Sequence, residues 1–146
     1  MSLLITMLVK KLLHFTVFSL SFEQVILRNV YYCQKKRTML KDLDISQWKE
    51  EMDSMNSNEF EIIDVRTPEE QAAGVIPGAK LVDYFDSEAL LSFVNTLDQD
   101  KTYFVYCKAG ARSMHVCQIM QQMGFLKTNN LYGGIMAWAN AGHPIK

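Results

Sequence analysis

Cysteine is scarce in this chain: Cys33, Cys107 and Cys117 are the only three among 146 residues. The number is odd and the spacing fits no zinc motif, so neither a disulfide framework nor a metal site is expected, and a reduced thiol is the default. Cys107 and Cys117 are also expected to lie too far apart to bridge, because the second falls well inside the helix that follows the first. Cys117 reads as a small core hydrophobe. Internal repeats and low-complexity tracts are absent, and so is a large charge of one sign: 15 Lys and Arg against 16 Asp and Glu leave −1 at pH 7. With 49% hydrophobic and 21% charged residues, the composition is that of a folded globular protein rather than a disordered or fibrous one. No basic stripe with interleaved aromatics is present, so nucleic acid is not an expected partner. A chain of this length builds one sizeable core, and one active site is sought.

A long uninterrupted apolar run is missing as well. The stretch 12–22 is apolar apart from His14 and a few hydroxyls and follows Lys10-Lys11, as a secretory apolar region follows its basic start. A second apolar stretch, 3–9, precedes the lysines, no small-residue cleavage site follows Phe22, and a span from 3 to 22 would put both lysines near the bilayer centre. Charge divides further on, near Thr38 and Met39. Residues 1–38 hold six basic residues against Glu23 alone, whereas the remainder holds nine basic and 15 acidic residues. The expected division is therefore an extension over 1–38 and a domain over 39–146. Three readings of the extension stand: translation that starts at Met39, an export or membrane-association segment, or a helix packed on the domain. A cytoplasmic protein is the expectation, with membrane association or export only if residues 1–38 act in that way.

From Leu40 onward short apolar runs alternate with amphipathic stretches, the pattern of an α/β domain. Ser46 is expected to cap a helix whose Trp48, Met52 and Met55 form one apolar stripe. Residues 60–65 read as a buried strand, and Thr67-Pro68-Glu69-Glu70 opens a helix with a cap, a proline in the first turn and a Glu three residues after the cap. Pro77-Gly78 turns into a short strand at 80–82, and Ser87 begins a helix with Leu90, Leu91 and Val94 on one face. Residues 102–106 read as a central strand buried on both faces. Residues 113–123 form a helix ended by Gly124, with His115 to the side of its apolar stripe as a solvated surface residue. Residues 130–132 are the expected last strand, and 135–140 a short helix after Gly133-Gly134. The sheet is expected to be mainly parallel, with its functional loops at the carboxyl ends of the strands.

The segment Tyr106-Cys107-Lys108-Ala109-Gly110-Ala111-Arg112-Ser113 places a thiol between a buried strand and a helix N-terminus. Unpaired backbone N–H groups and the helix dipole favour an anion there, and Lys108 and Arg112 add positive charge. An unperturbed thiol has a pKa of about 8.5, and such surroundings lower it by one to several units, so a thiolate is expected at neutral pH. The small side chains of Ala109, Gly110 and Ala111 let the backbone curl so that successive N–H groups converge, as in an anion-binding nest.

These residues resemble the rhodanese-like family, and the resemblance extends to Ile63-Asp64-Val65-Arg66-Thr67-Pro68-Glu69-Glu70, Gly74-Val75-Ile76-Pro77-Gly78-Ala79 and Leu131-Tyr132-Gly133-Gly134-Ile135-Met136-Ala137-Trp138. It covers about 40–146 and does not reach 1–38. It implies a mostly parallel five-stranded sheet flanked by helices, and a sulfurtransferase, of the thiosulfate:cyanide type, in which Cys107 carries sulfur as a persulfide. Lys108 and Arg112 would orient an anionic donor such as thiosulfate, and the backbone from Ala109 to Ser113 would stabilise the persulfide. A protein acceptor is possible, and no cofactor or metal is implied. Asp64, Arg66 and Glu70 are expected to be structural, with Arg66 pairing with Glu70 or Asp64 to fix the loops around the site. Val75 and Gln71 stand where many relatives have His and an aromatic residue.

Two rivals share the feature of a reactive thiol in a loop. Phosphatases and arsenate reductases also use a cysteine in an anion-binding loop closed by arginine, but phosphatases need five residues between the two, and only Lys108 to Ala111 intervene here. The smaller ring favours sulfur. A binding module, either a sulfur-relay partner or a persulfide sensor, would present the same cysteine with little turnover of free substrate.

Overall fold

The structure, a computed structural model, describes residues 38–146; the expectations for residues 1–37, Cys33 among them, lie outside the described residues. Five parallel strands, β1 (Met39–Leu43), β2 (Phe60–Asp64), β3 (Ala79–Leu81), β4 (Thr102–Tyr106) and β5 (Lys127–Leu131), form one sheet in the order β1-β5-β4-β2-β3. Five helices connect and cover them: α1 (Ile45–Asp53), α2 (Pro68–Ala72), α3 (Ser87–Asn95), α4 (Ala111–Gln122) and α5 (Gly134–Asn140). The α/β class and the parallel five-stranded sheet are as the sequence led us to expect.

The alternation of β4 explains the two cores. Tyr103, Val105 and Cys107 face one side, with Leu90 and Val94 of α3 and Val116, Cys117 and Met120 of α4. Phe104 and Tyr106 face the other, with Trp48 of α1 and Ile135 and Trp138 of α5. Trp48 meets both Phe104 and Trp138 edge-on, at ring-centroid distances of 5.1 and 5.7 Å, a favourable arrangement of the ring quadrupoles. A strand buried on both faces needs apolar side chains in both registers, and Tyr-Phe-Val-Tyr supplies them.

Several local expectations are corrected. The cap of α1 is Asp44 rather than Ser46: its carboxylate accepts the Gln47 N–H at 2.9 Å, and the Gln47 side chain reaches back to the Asp44 N–H. Asp44 and Gln47 have the three-residue spacing of a reciprocal capping box, and Ser46 merely donates to Asp44 at 2.6 Å. Thr67 and Glu70 form the expected box around Pro68. Asp86 caps α3, with Ser87 as its first residue. Leu91 leaves the apolar stripe of that helix and is 46% exposed. The third strand runs Ala79–Leu81 rather than 80–82. Strand β1 has no counterpart among the sequence expectations. Strand β5 begins three residues earlier than expected and leaves out Tyr132. Its start is disguised by Thr128, Asn129 and Asn130, polar residues that are nevertheless buried; Asn129 donates to Glu51 and Asn130 to Asp42 from the neighbouring elements. Helix α4 starts at Ala111, so Arg112 and Ser113 belong to its first turn.

Candidate active site around Cys107

Cys107 directly follows β4 and is 1% exposed. The chain turns sharply after it, and Gly110, at φ +102°, is the residue from which α4 departs. A side chain at Gly110 would press on the carbonyl of Leu131 at 3.0 Å, so glycine is required both for the left-handed backbone and for the close approach. The turn brings the Gly110 N–H to 3.1 Å from the Cys107 sulfur and the Ser113 hydroxyl to 3.4 Å. Burial of the thiol opposes its ionisation. The Ser113 hydroxyl and the N–H groups of Ser113, Ala109 and Gly110 outweigh that cost and draw the pKa below its ordinary value.

The carbonyls of Cys107 and Lys108 point the other way, into α5. Ile135 donates its N–H to the Cys107 carbonyl at 2.9 Å, and Met136 donates to that of Lys108 at 3.3 Å. Gly134 makes this contact feasible, because a Cβ there would lie 2.4 Å from the Cys107 carbonyl oxygen and 2.5 Å from the Lys108 carbonyl. The N-terminus of α5 thus takes up these two carbonyls, while the Gly110 N–H faces the sulfur.

The charged residues separate into two pairs. Arg66 engages Asp64, with Nη2 to Oδ2 at 2.6 Å, and its remaining donors reach the backbone carbonyls of Glu70 at 2.9 Å and Gly74 at 2.7 Å. Of the two partners expected for Arg66, the structure brings it Asp64. Glu70 instead turns its carboxylate to Arg112, in a bidentate pair at 2.8 and 2.9 Å. That hydrogen bonding outweighs the opposing desolvation and holds the Glu70 carboxyl at about 2. Lys108 and Ala109 are exposed at the loop's outer edge, and among the described residues the Lys108 ammonium has no ion pair. Gln71 donates to the Arg66 carbonyl at 2.9 Å, and Val75 exchanges backbone hydrogen bonds with Lys146, so both unusual positions are used in bracing the loops. Tyr106 was not singled out from sequence. Its hydroxyl accepts the Ile76 N–H at 3.0 Å, and its ring lies under the Arg66 guanidinium; only its place at the end of the most apolar strand could have pointed to it.

A family model described as "Rhodanese-like domain" matches residues 44–141, which include every element but β1. The chain belongs to the rhodanese-like family. YtwF of Bacillus subtilis, whose name places it among the sulfurtransferases, is 38% identical over 105 residues, which are 72% of this chain and 96% of that protein. A sulfurtransferase of Allochromatium vinosum is 38% identical over 84 residues, 58% of this chain and 76% of that one. The crystal structure of a rhodanese-like domain protein from Staphylococcus aureus superposes with a TM-score of 0.60 at 30% identity, covering 73% of this chain and 98% of the other.

Within this rhodanese-like domain Cys117 is fully buried on α4, and desolvation pushes its thiol up to about 12. It is the inert core cysteine that its place in the sequence suggested. His115 is exposed and shares a hydrogen bond of 2.9 Å with the Tyr84 hydroxyl. No group of His, Cys, Asp or Glu that could hold a metal is present among the described residues, and no helix among them is long and apolar enough to cross a membrane.

Proposed function

We propose that the protein is a sulfurtransferase that takes sulfane sulfur from thiosulfate or a persulfide onto Cys107 and passes it to a thiophilic acceptor. The observation that carries this reading is a thiol buried to 1% exposure whose sulfur is nonetheless met by Gly110 N–H and Ser113 Oγ and favoured as an anion. The Cys107 thiolate attacks the outer sulfur of the donor. A Cys107–sulfur bond forms as the donor's own sulfur–sulfur bond breaks, and the bonding pair leaves on sulfite or on a thiolate. The acceptor then attacks the outer sulfur, and Cys107 departs as thiolate. Burial requires the donor to present its terminal sulfur end-on. Lys108 at the rim attracts anionic donors, and the N–H groups of the 109–113 turn stabilise the persulfide. Four residues between Cys107 and Arg112 make a ring fitted to one sulfur atom rather than to a tetrahedral oxyanion. Asp64 and Arg66 serve as bracing.

The test is to incubate reduced protein with thiosulfate or cysteine persulfide and weigh the intact chain. A single added sulfur on the wild type, absent from Cys107→Ser and discharged as thiocyanate by cyanide, is the expected result. If neither donor leaves an adduct, the reading fails. Slow loading from thiosulfate with rapid transfer to a protein acceptor would identify a relay carrier using the same persulfide.

A further inference from the structure

We infer that Glu70 is a donor-specificity residue: by neutralising Arg112 beside the Cys107 loop, its carboxylate disfavours dianionic donors such as thiosulfate and selects for persulfides of low net charge. The inference rests on the sulfurtransferase reading. Both terminal nitrogens of the Arg112 guanidinium are committed to Glu70, at 2.8 and 2.9 Å, and the Phe85 ring covers the group at 5.7 Å. Glu70 is itself fixed, because Oε2 also accepts the Thr67 N–H at 3.1 Å within the capping box of α2. The pair leaves Arg112 three further N–H donors, but it sets a carboxylate directly against the guanidinium charge, so a bound anion gains little net attraction from that residue. Arg66 is likewise committed to Asp64. Of the three cations around the loop, Lys108 alone is left with no carboxylate partner among the described residues. A dianion meets one compensating charge and, close behind Arg112, the carboxylate of Glu70. A zwitterionic alkyl persulfide depends less on compensating charge and relies on the N–H groups around the sulfur.

The Glu70→Gln variant keeps the shape and the capping oxygen for Thr67 while removing the charge. Steady-state rates are compared with thiosulfate and with cysteine persulfide, alongside Glu69→Gln, which removes the same charge from an exposed neighbour in the same turn. For Glu70→Gln the thiosulfate KM is expected to fall roughly three- to ten-fold, the scale of one unit charge acting across partly solvated space. The KM for cysteine persulfide and both kcat values should stay within about two-fold, and Glu69→Gln should match the wild type. A thiosulfate KM that is unchanged or raised, or an equal change for both donors, in a wild type that does form the adduct, overturns the inference and leaves Glu70 a brace. A wild type that accepts sulfur from neither donor overturns the sulfurtransferase reading, and the inference with it.

Discussion

Ser113 has one hydroxyl proton and two acceptors within reach, the Cys107 sulfur at 3.4 Å and the Gly110 carbonyl at 3.1 Å. A thiolate competes for that proton better than a thiol does, so the hydroxyl favours the ionised form of Cys107. For Ser113→Ala a hydrogen bond of about 1 kcal/mol is lost, so the Cys107 pKa should rise by roughly half to one unit. Iodoacetamide alkylation rates measured against pH would show the midpoint displaced upward, and an unmoved midpoint would mean that the backbone N–H groups alone set the thiolate. At this scale the site was well written in the sequence. Cys107, Gly110 and Ser113 lie within seven consecutive residues, and their relation follows from a strand that ends at a helix start. The partner of Arg112 was not, because Glu70 is 42 residues away and the nearer Arg66 was an equally reasonable claimant.

The loop holds its shape through elements it does not belong to. Helix α5 presses its first N–H groups onto the carbonyls of Cys107 and Lys108, and the approach is so close that Gly134 has no room for a side chain. Gly134→Ala should therefore cost about 2–4 kcal/mol, combining a left-handed backbone at φ +59° with overpacking against the loop. Urea denaturation would measure the loss, and the pH midpoint of Cys107 alkylation should move upward in the variant under conditions where the chain stays folded. An unmoved midpoint would show that α5 is not what turns the loop's N–H groups toward the sulfur. Most helix positions followed from caps and apolar spacing, although the first cap passed from Ser46 to Asp44, where the reciprocal partner Gln47 sits at the required distance. Strand β1 was missed, and the start of strand β5 was misplaced. Asn129 and Asn130 are tolerated inside because Glu51 and Asp42 approach from α1 and β1 and accept from their side-chain amides, and those partners are distant in sequence.

For the molecule as a whole, the Glu70–Arg112 pair joins α2 to α4 across the mouth of the site and links folding to pH. Glu70 titrates at about 2 in the folded chain against an ordinary 4.5, chiefly through its hydrogen bonds with Arg112. A carboxyl lowered on folding stabilises fully above its unfolded pKa, and that contribution is lost as pH falls through the folded value. Stability should thus decline between about 4.5 and about 2, with this pair contributing on the order of 1 kcal/mol because its side chains keep 20% and 26% of their exposure. Urea unfolding of wild type and Glu70→Gln at about pH 6 and about pH 3 should show the two converging at the lower pH; an equal gap at both would assign the difference to packing. The sequence by itself determined the α/β class, the two-sided burial of β4 and the thiolate-favouring loop, because each depends on local periodicity or on residues a few positions apart. Only the tertiary structure decided the strand order β1-β5-β4-β2-β3, the burial of a polar strand, the docking of α5 on the loop and the pairing of Glu70 with Arg112. Those outcomes depend on which distant groups meet in space, and hydrogen bonds and charges choose among partners that linear spacing leaves equivalent.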